Sequence, residues 1–232
     1  MNLAQILGIE LPVIQAPMAG VQLGALAAAV SGAGGLGSLP CAMLTPEAMV
    51  KELELVASRT GRPYNVNFFC HVPPAPDAGR EAAWRRALAP YYAELGIDAS
   101  AIPAGPGRSP FSAEAADALE RFRPAVVSFH FGLPARELLA RVKGWGSRIL
   151  ACATTVDEAR WLEANGADAV IAQGVEAGGH RGNFLTDDLT TQVGTLALVP
   201  QVASAVKVPV IAAGGIADAQ GVAAAMALGA SA

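Results

Sequence analysis

The segment GVEAGGHRG, residues 174–182, sets a carboxylate, two adjacent glycines, an imidazole and a guanidinium directly after the apolar run Ala169-Val170-Ile171-Ala172 and Gln173. Glycines let backbone amides approach a flat or phosphorylated ligand, and His180 beside Gly178-Gly179 can take a proton from a carbon acid if it titrates near neutrality. A second pair, Gly214-Gly215, follows VPVIAA at 208–213. Exposed amides at such a turn hold a phosphate well, and a plain tight turn into the next helix is the other reading. With Ala16, Pro17 and Met18 as an apolar wall, and Asn67 and Gln173 able to bond the polar edge of a ring, these residues describe a site for a mononucleotide cofactor. A dinucleotide fingerprint is missing, because Gly34-Gly35-Leu36-Gly37 precedes a strand candidate and does not open a helix. His130, at the end of VVSFH, is a second catalytic candidate aimed at the same mouth, whereas His71 after Cys70 reads as structural. No His, Cys, Asp or Glu pair has the spacing of a metal motif, so no metal is expected.

These residues need elements that bring them together. Short apolar runs at Val13–Gln15, Gly35–Leu39, Tyr64–Phe69, Ala125–His130, Arg148–Ala153, Ala169–Gln173 and Val208–Ala213 read as strands. Helical segments alternate with them, around 23–31, 45–60, 77–95, 112–121, 134–143, 155–165, 195–206 and 219–228. Strands apolar on both faces and separated by helices predict a parallel sheet covered by helices, and seven such units predict a (β/α)8 barrel (TIM barrel) over an open doubly wound sheet. In that architecture the carboxyl ends of the strands share one face, and the polar residues singled out above all lie at such ends. GIDASAIPAGPGRSPF (96–111) and HVPPAPDAG (71–79) read as Gly- and Pro-rich loops and not as domain linkers, so 1–232 is expected to be a single domain. NFLTDDLTTQVG (183–194) is a further long loop, placed to cover a substrate.

Composition narrows the function classes. The 232 residues are 53% hydrophobic and 16% charged, with net charge −4, which describes a globular chain without a basic field for nucleic acid. No charge occurs between Glu10 and Glu47, yet that stretch is Ala/Gly-rich and split by Gly34-Gly35, so strand and helix pieces are expected there and not a membrane span. The three cysteines, Cys41, Cys70 and Cys152, are odd in number and lie in apolar surroundings, which points to a reducing compartment and a cytoplasmic location. Self-association into a homo-oligomer is neither required nor excluded.

Taken together, QAPMAG (15–20), AGGLGSL (33–39), NVNFF (65–69), SFHFGLP (128–134), CATTVDEA (152–159), DAVIAQGVEAGGHRG (168–182), GTLALVPQ (194–201) and PVIAAGGIAD (209–218) resemble the nitronate monooxygenase family, formerly 2-nitropropane dioxygenase, in its bacterial class. The resemblance implies an FMN-dependent TIM-barrel oxidoreductase that oxidises alkyl nitronates, such as propionate 3-nitronate, with O2 to a carbonyl compound and nitrite. It implies that His180 is the catalytic base or orients the substrate, with flavin contacts on Ala16, Pro17, Met18, Asn67, Gln173, Gly178, Gly179, Gly214 and Gly215. The alternatives are a related flavin reductase acting on quinones or enoyl-acyl-carrier protein with NADH, and a non-catalytic flavin-binding barrel. Two departures stand out. Gln22-Leu23-Gly24 replaces the family's Ser-Thr-Pro helix start, and an eighth strand with a Gly-Thr phosphate loop and a C-terminal cap are expected beyond Ala232.

Overall fold

A computed structural model describes residues 2–102 and 108–232. The chain divides into two compact units, Met1–His71 with Ser109–Ala232, and Val72–Arg108. Among its described residues the smaller unit carries one helix, Ala78–Glu94, started by the Asp77 carboxylate accepting from the Arg80 amide at 3.0 Å. Part of the loop expected at 96–111, residues 103–107, lies outside the described residues.

The larger unit is built on a parallel sheet of six strands in sequence order: β1 (Gly37–Pro40), β2 (Tyr64–Phe69), β3 (Val126–His130), β4 (Arg148–Ala153), β5 (Ala169–Gln173) and β6 (Val210–Ala213). Its helices are α1 (Leu3–Leu7), α2 (Gly24–Gly32), α3 (Pro46–Arg59), α5 (Ala113–Leu119), α6 (Arg136–Gly144), α7 (Val156–Ala164), α8 (Thr195–Ala205) and α9 (Ala219–Ala227), with Ala78–Glu94 as α4 in chain order. The first expected strand, Val13–Gln15, is reduced to a single bridge of Ile14 to Leu36. Pro12 and Pro17 bracket the segment and offer no amide hydrogens, so only a short ladder can form. Sheet and helices establish an α/β fold with a parallel sheet of six strands among the described residues, where seven were expected. Ser231 donates to the Val210 carbonyl at 2.7 Å, and Ala212 donates to the Ala232 carbonyl at 2.9 Å, along the open side of β6.

Alternation along the strands separates two environments. Val66, Phe68, Val127, Phe129 and Ile149 meet α3, α5 and α6 through Leu53, Leu119 and Val142, all buried. Val170, Ala172 and Val210 likewise meet Leu162, Leu198 and Val202 of α7 and α8. The opposite face is apolar only where the strands begin: Leu36, Val126, Leu150, Ala169 and Ile211 pack on Leu3 and Leu7 of α1. Two or four residues further along, the same face carries Ser38, Ser128, His130, Cys152 and Gln173. A plug of aliphatic side chains thus sits beneath a polar layer at the carboxyl ends. Burying Leu3 and Leu7 contributes on the order of 1.5–3 kcal/mol each to that base. Helix α1 is too short to show periodicity in the sequence, but Asn2 and Gln5 form a reciprocal capping box that starts it.

Among the described residues, no helix is long and apolar enough to cross a membrane.

Candidate active site

The polar layer begins with amides on β2. Asn65 donates to the hydroxyls of Ser38 and Ser128 at 3.0 and 2.9 Å, and Asn67 donates to the Ser128 hydroxyl and carbonyl at 2.9 and 3.3 Å. Register dictates these contacts, since Ser38 stands opposite Asn65 and Ser128 opposite Asn67. The Asn67 amide nitrogen makes both bonds to Ser128, and Oδ1 is the acceptor on the same side chain. The Oδ1 of Asn65 is buried without a hydrogen-bond partner among the described residues.

A second knot fixes the apolar wall. Gln22, buried, bonds the Gln15 side chain and donates to the carbonyls of Ala16 and Ser38 at 2.9 and 3.2 Å. Gln15 in turn accepts from the Ser38 amide at 3.3 Å. Ala16, Pro17 and Met18 are therefore held beside β1, with the Met18 side chain 49% exposed. Helix α2 lacks a capping side chain of its own, as the Gln22-Leu23-Gly24 sequence implied, and the Glu52 carboxylate from α3 accepts from the Gly24 amide at 2.8 Å instead.

The GVEAGGHRG segment folds back over the ends of β3 to β5. Gln173 and His130 both point at the carbonyl of His180, at 2.9 and 3.2 Å, while Gln173 accepts from the Gly182 amide at 2.7 Å. A carbonyl only accepts, so His130 carries its hydrogen on Nε2. Burial pushes His130 from the ordinary value near 6.5 down to about 4, against the smaller opposing effect of that hydrogen bond. A neutral donor near pH 7 is suited to holding the loop and not to accepting a proton. Gly182 makes the close approach possible: a Cβ there would lie 2.8 Å from His130 Cε1 and 3.0 Å from Cys152 Cβ. Arg181 curls back on the carbonyls of Gly174, at 2.6 Å, and Ala177. Glu158, fully buried, completes the anchorage. Its carboxylate accepts from Thr154 N and Oγ1 at 2.7 and 2.8 Å and from the amides of Phe184 and Leu185 at 2.7 and 3.2 Å.

An aromatic wall stands beside His180. Its ring lies edge-on to Phe69 at 5.4 Å and to Phe131 at 6.0 Å between centroids, and His130 lies 4.5 Å from Phe131. Phe131 adopts φ +66°, a left-handed conformation rare for an aromatic residue. The following Gly132 has φ +89°.

At the end of β6, Gly214 (φ +129°) and Gly215 (φ +67°) need the left-handed side of the map. A Cβ on Gly214 would lie 2.8 Å from the Ala177 amide, and one on Gly215 3.0 Å from Glu176 Cβ, so this turn and the GVEAGG turn abut. The Glu176 carboxylate accepts from Thr195 N and Oγ1 at 2.8 and 2.9 Å, capping α8, and the Thr195 amide holds its pKa below the usual carboxylate range. Gly178 and Gly179 have open space where a Cβ would stand. The expected site residues thus fall in the carboxyl halves of β2, β3 and β5, on the loops after β5 and β6, and on the segment after the Ile14 bridge. The parts of Gln22, Glu158 and Gly182 in holding the site were not singled out, because each also joins a segment distant in sequence: Gln22 reaches Ser38 16 residues away, Glu158 reaches Phe184 26 away, and Gly182 packs on His130; the last glycine of GGHRG was the one visible signal.

A parallel α/β sheet with a polar layer and glycine turns at its carboxyl ends defines a ligand-binding class of α/β protein. The particular family follows from comparison. The family model for nitronate monooxygenase matches residues 1–232, and the chain belongs to that family. It is 46% identical to the nitronate monooxygenase of Paraburkholderia phytofirmans over 99% of this chain and 63% of the relative. It is equally 46% identical to that of Pseudomonas aeruginosa, over 98% and 65%. Among solved structures, nitroalkane oxidase from Streptomyces ansochromogenes superposes with TM-score 0.87 at 43% identity, over 99% of this chain and 65% of that one. FabK from Thermotoga maritima superposes with TM-score 0.72 at 31% identity, over 99% and 59%. The chain therefore spans somewhat less than two thirds of the length of these relatives.

Proposed function

We propose that the protein oxidises alkyl nitronates with O2, yielding a carbonyl compound and nitrite, and that it does so with FMN at the carboxyl ends of the strands. The observation that carries this reading is His180, set against Phe69 and Phe131 on a loop whose carbonyl is fixed by Gln173 and His130. Membership of the nitronate monooxygenase family supplies the reaction class.

The residues present fit the cofactor. The Oδ1 acceptor of Asn67 suits a ring imide, and the exposed Ala16-Pro17-Met18 segment offers a flat apolar contact. The positive-φ turn at Gly214-Gly215 suits a phosphate, and Gly178-Gly179 leaves room for close backbone approach. Bound FMN would supply the electron acceptor for the nitronate and return the electrons to O2. His180 would orient the nitronate, or take the α-proton when the substrate arrives as the neutral nitroalkane. Gln173 and His130 act through the His180 backbone, and the phenylalanines keep water from the reacting carbon. On this reading the six strands, the Ile14–Leu36 bridge and the hydrogen bonds of Ser231 and Ala232 along β6 belong to an eight-stranded (β/α)8 barrel. Residues 1–232 then belong to one FMN-binding domain, interrupted in sequence by Val72–Arg108 and working in the cytoplasm.

The test is O2 uptake and nitrite release with propionate 3-nitronate, run beside NADH oxidation with a quinone and with an enoyl thioester, on protein whose FMN content is read from its absorption spectrum. Nitronate turnover independent of NADH is expected. His180→Asn should keep its flavin and lose about 10²–10⁴-fold with the neutral nitroalkane, and less with the nitronate. NADH-dependent reduction without nitronate turnover would replace this reading with the reductase one, and flavin without any turnover would leave a binding protein.

A further inference from the structure

All three histidines of the chain meet the same two phenylalanine rings, and the reading above uses only two of them. The third, His71, lies with its ring 6.2 Å from Phe69 and 6.1 Å from Phe131, edge-on to both at 77° and 76°. Its Nδ1 is shut off from solvent and has no hydrogen-bond partner among the described residues, although the residue as a whole is partly exposed. An unpaired buried ring nitrogen works against folding, and a phenylalanine would suit these aromatic neighbours without that cost. Packing therefore gives no reason for an imidazole here. A buried N–H lacking an acceptor is a rarer arrangement than a buried acceptor lacking a donor, which places the ring hydrogen on Nε2 and presents a donor there.

We propose that His71 is a third histidine of the substrate site, donating its Nε2 hydrogen to an oxygen of the bound nitronate. The proposal deepens the nitronate reading and rests on it. A nitronate carries two acceptor oxygens that share a negative charge and has no N–H of its own, so what it requires of a water-poor aromatic wall is a donor. His180 and His71 touch the same phenylalanines, which brings the donor to the wall that His180 also lines. Because the nitronate oxygens are present before and during oxidation, the contact holds ground state and transition state alike. Its loss raises KM and leaves kcat in place.

The experiment measures kcat, KM for propionate 3-nitronate and the thermal midpoint on FMN-loaded parent, His71→Phe and His71→Gln. Phenylalanine keeps the ring and removes the donor, whereas the glutamine amide restores an N–H near the position of Nε2. His71→Phe should unfold at the same temperature or higher, with KM raised about tenfold or more and kcat within about twofold. His71→Gln should stay within about threefold of the parent KM. An unmoved KM in His71→Phe overturns the proposal, and so does a KM in His71→Gln as high as that of the phenylalanine variant. Should His71→Phe fail to fold, His71→Met provides the donor-free comparison. A parent without nitronate turnover refutes the underlying reading together with this one; an active parent with an unmoved KM refutes the part of His71 alone.

Discussion

Lowering the pH from 7 to 5 should weaken the folded protein by about 2 kcal/mol through His130 alone. The unfolded chain takes up a proton at position 130 below about pH 6.5, while burial keeps the folded imidazole neutral down to about 4. The unfolded state therefore binds more protons across that window: stability is whole above 6.5 and is lost as the pH falls toward 4. A displacement from 6.5 to about 4 corresponds to roughly 3 kcal/mol when complete, and about 2 kcal/mol of it has gone by pH 5. Urea unfolding followed by circular dichroism at both pH values, on the parent and on His130→Gln, isolates this contribution, because groups common to the two proteins cancel in the double difference. Glutamine cannot titrate and keeps an N–H for the His180 carbonyl. The parent should lose about 2 kcal/mol more than the variant between pH 7 and pH 5. Equal losses, within about 0.5 kcal/mol, would refute the assignment of His130 as a neutral buried donor.

Gly182→Ala would push a Cβ to 2.8 Å from His130 Cε1 and 3.0 Å from Cys152 Cβ, so the loop over the strand ends must lift. A thermal melt should show a loss of about 1–3 kcal/mol, with turnover falling alongside it. In Glu158→Gln, one amide end must face two donors that now meet a carboxylate oxygen; we expect about 1–3 kcal/mol of destabilisation and faster proteolysis within 183–194. Gly215→Asp should lose FMN on purification, whereas Gly215→Asn, equal in size and tolerant of positive φ, should retain most of it. Absorbance of the purified variants decides, and equal flavin content in both would place the phosphate elsewhere.

Some parts of the fold could be read from the sequence because the signal was local. Strands β2, β4 and β5 begin and end where expected, since each is a largely apolar run that closely follows a turn residue, Pro63, Gly146 or Gly166. Thr45, Asp77, Ser112, Thr155 and Asp218 each cap a helix by accepting an amide, which explains why helix starts were recovered to within a residue or two. Pairing across the chain was less visible. Nothing near Gln22 announces Ser38, nothing near Glu158 announces Phe184, and His71 looked inert until β2 and β3 set its ring beside Phe131. His130 was expected to take part in the chemistry directly. Its identity could be read, but its burial and its bond to the His180 carbonyl could not, and these favour a positioning part.

The aliphatic plug beneath the polar layer bears on how the chain reaches its structure during synthesis. Leu3 and Leu7 share one cluster with Ile211, roughly two hundred positions later in the sequence. At about 5–20 residues per second, helix α1 must wait on the order of 10–40 s on the ribosome before that partner emerges. In that interval its leucines and the inward sides of the first strands have no finished base to rest on, and loop closure over such a span makes the last step slow. Helix α1 is thus made long before its cluster is complete, and a chain stalled before β6 would expose the surface that chaperones bind.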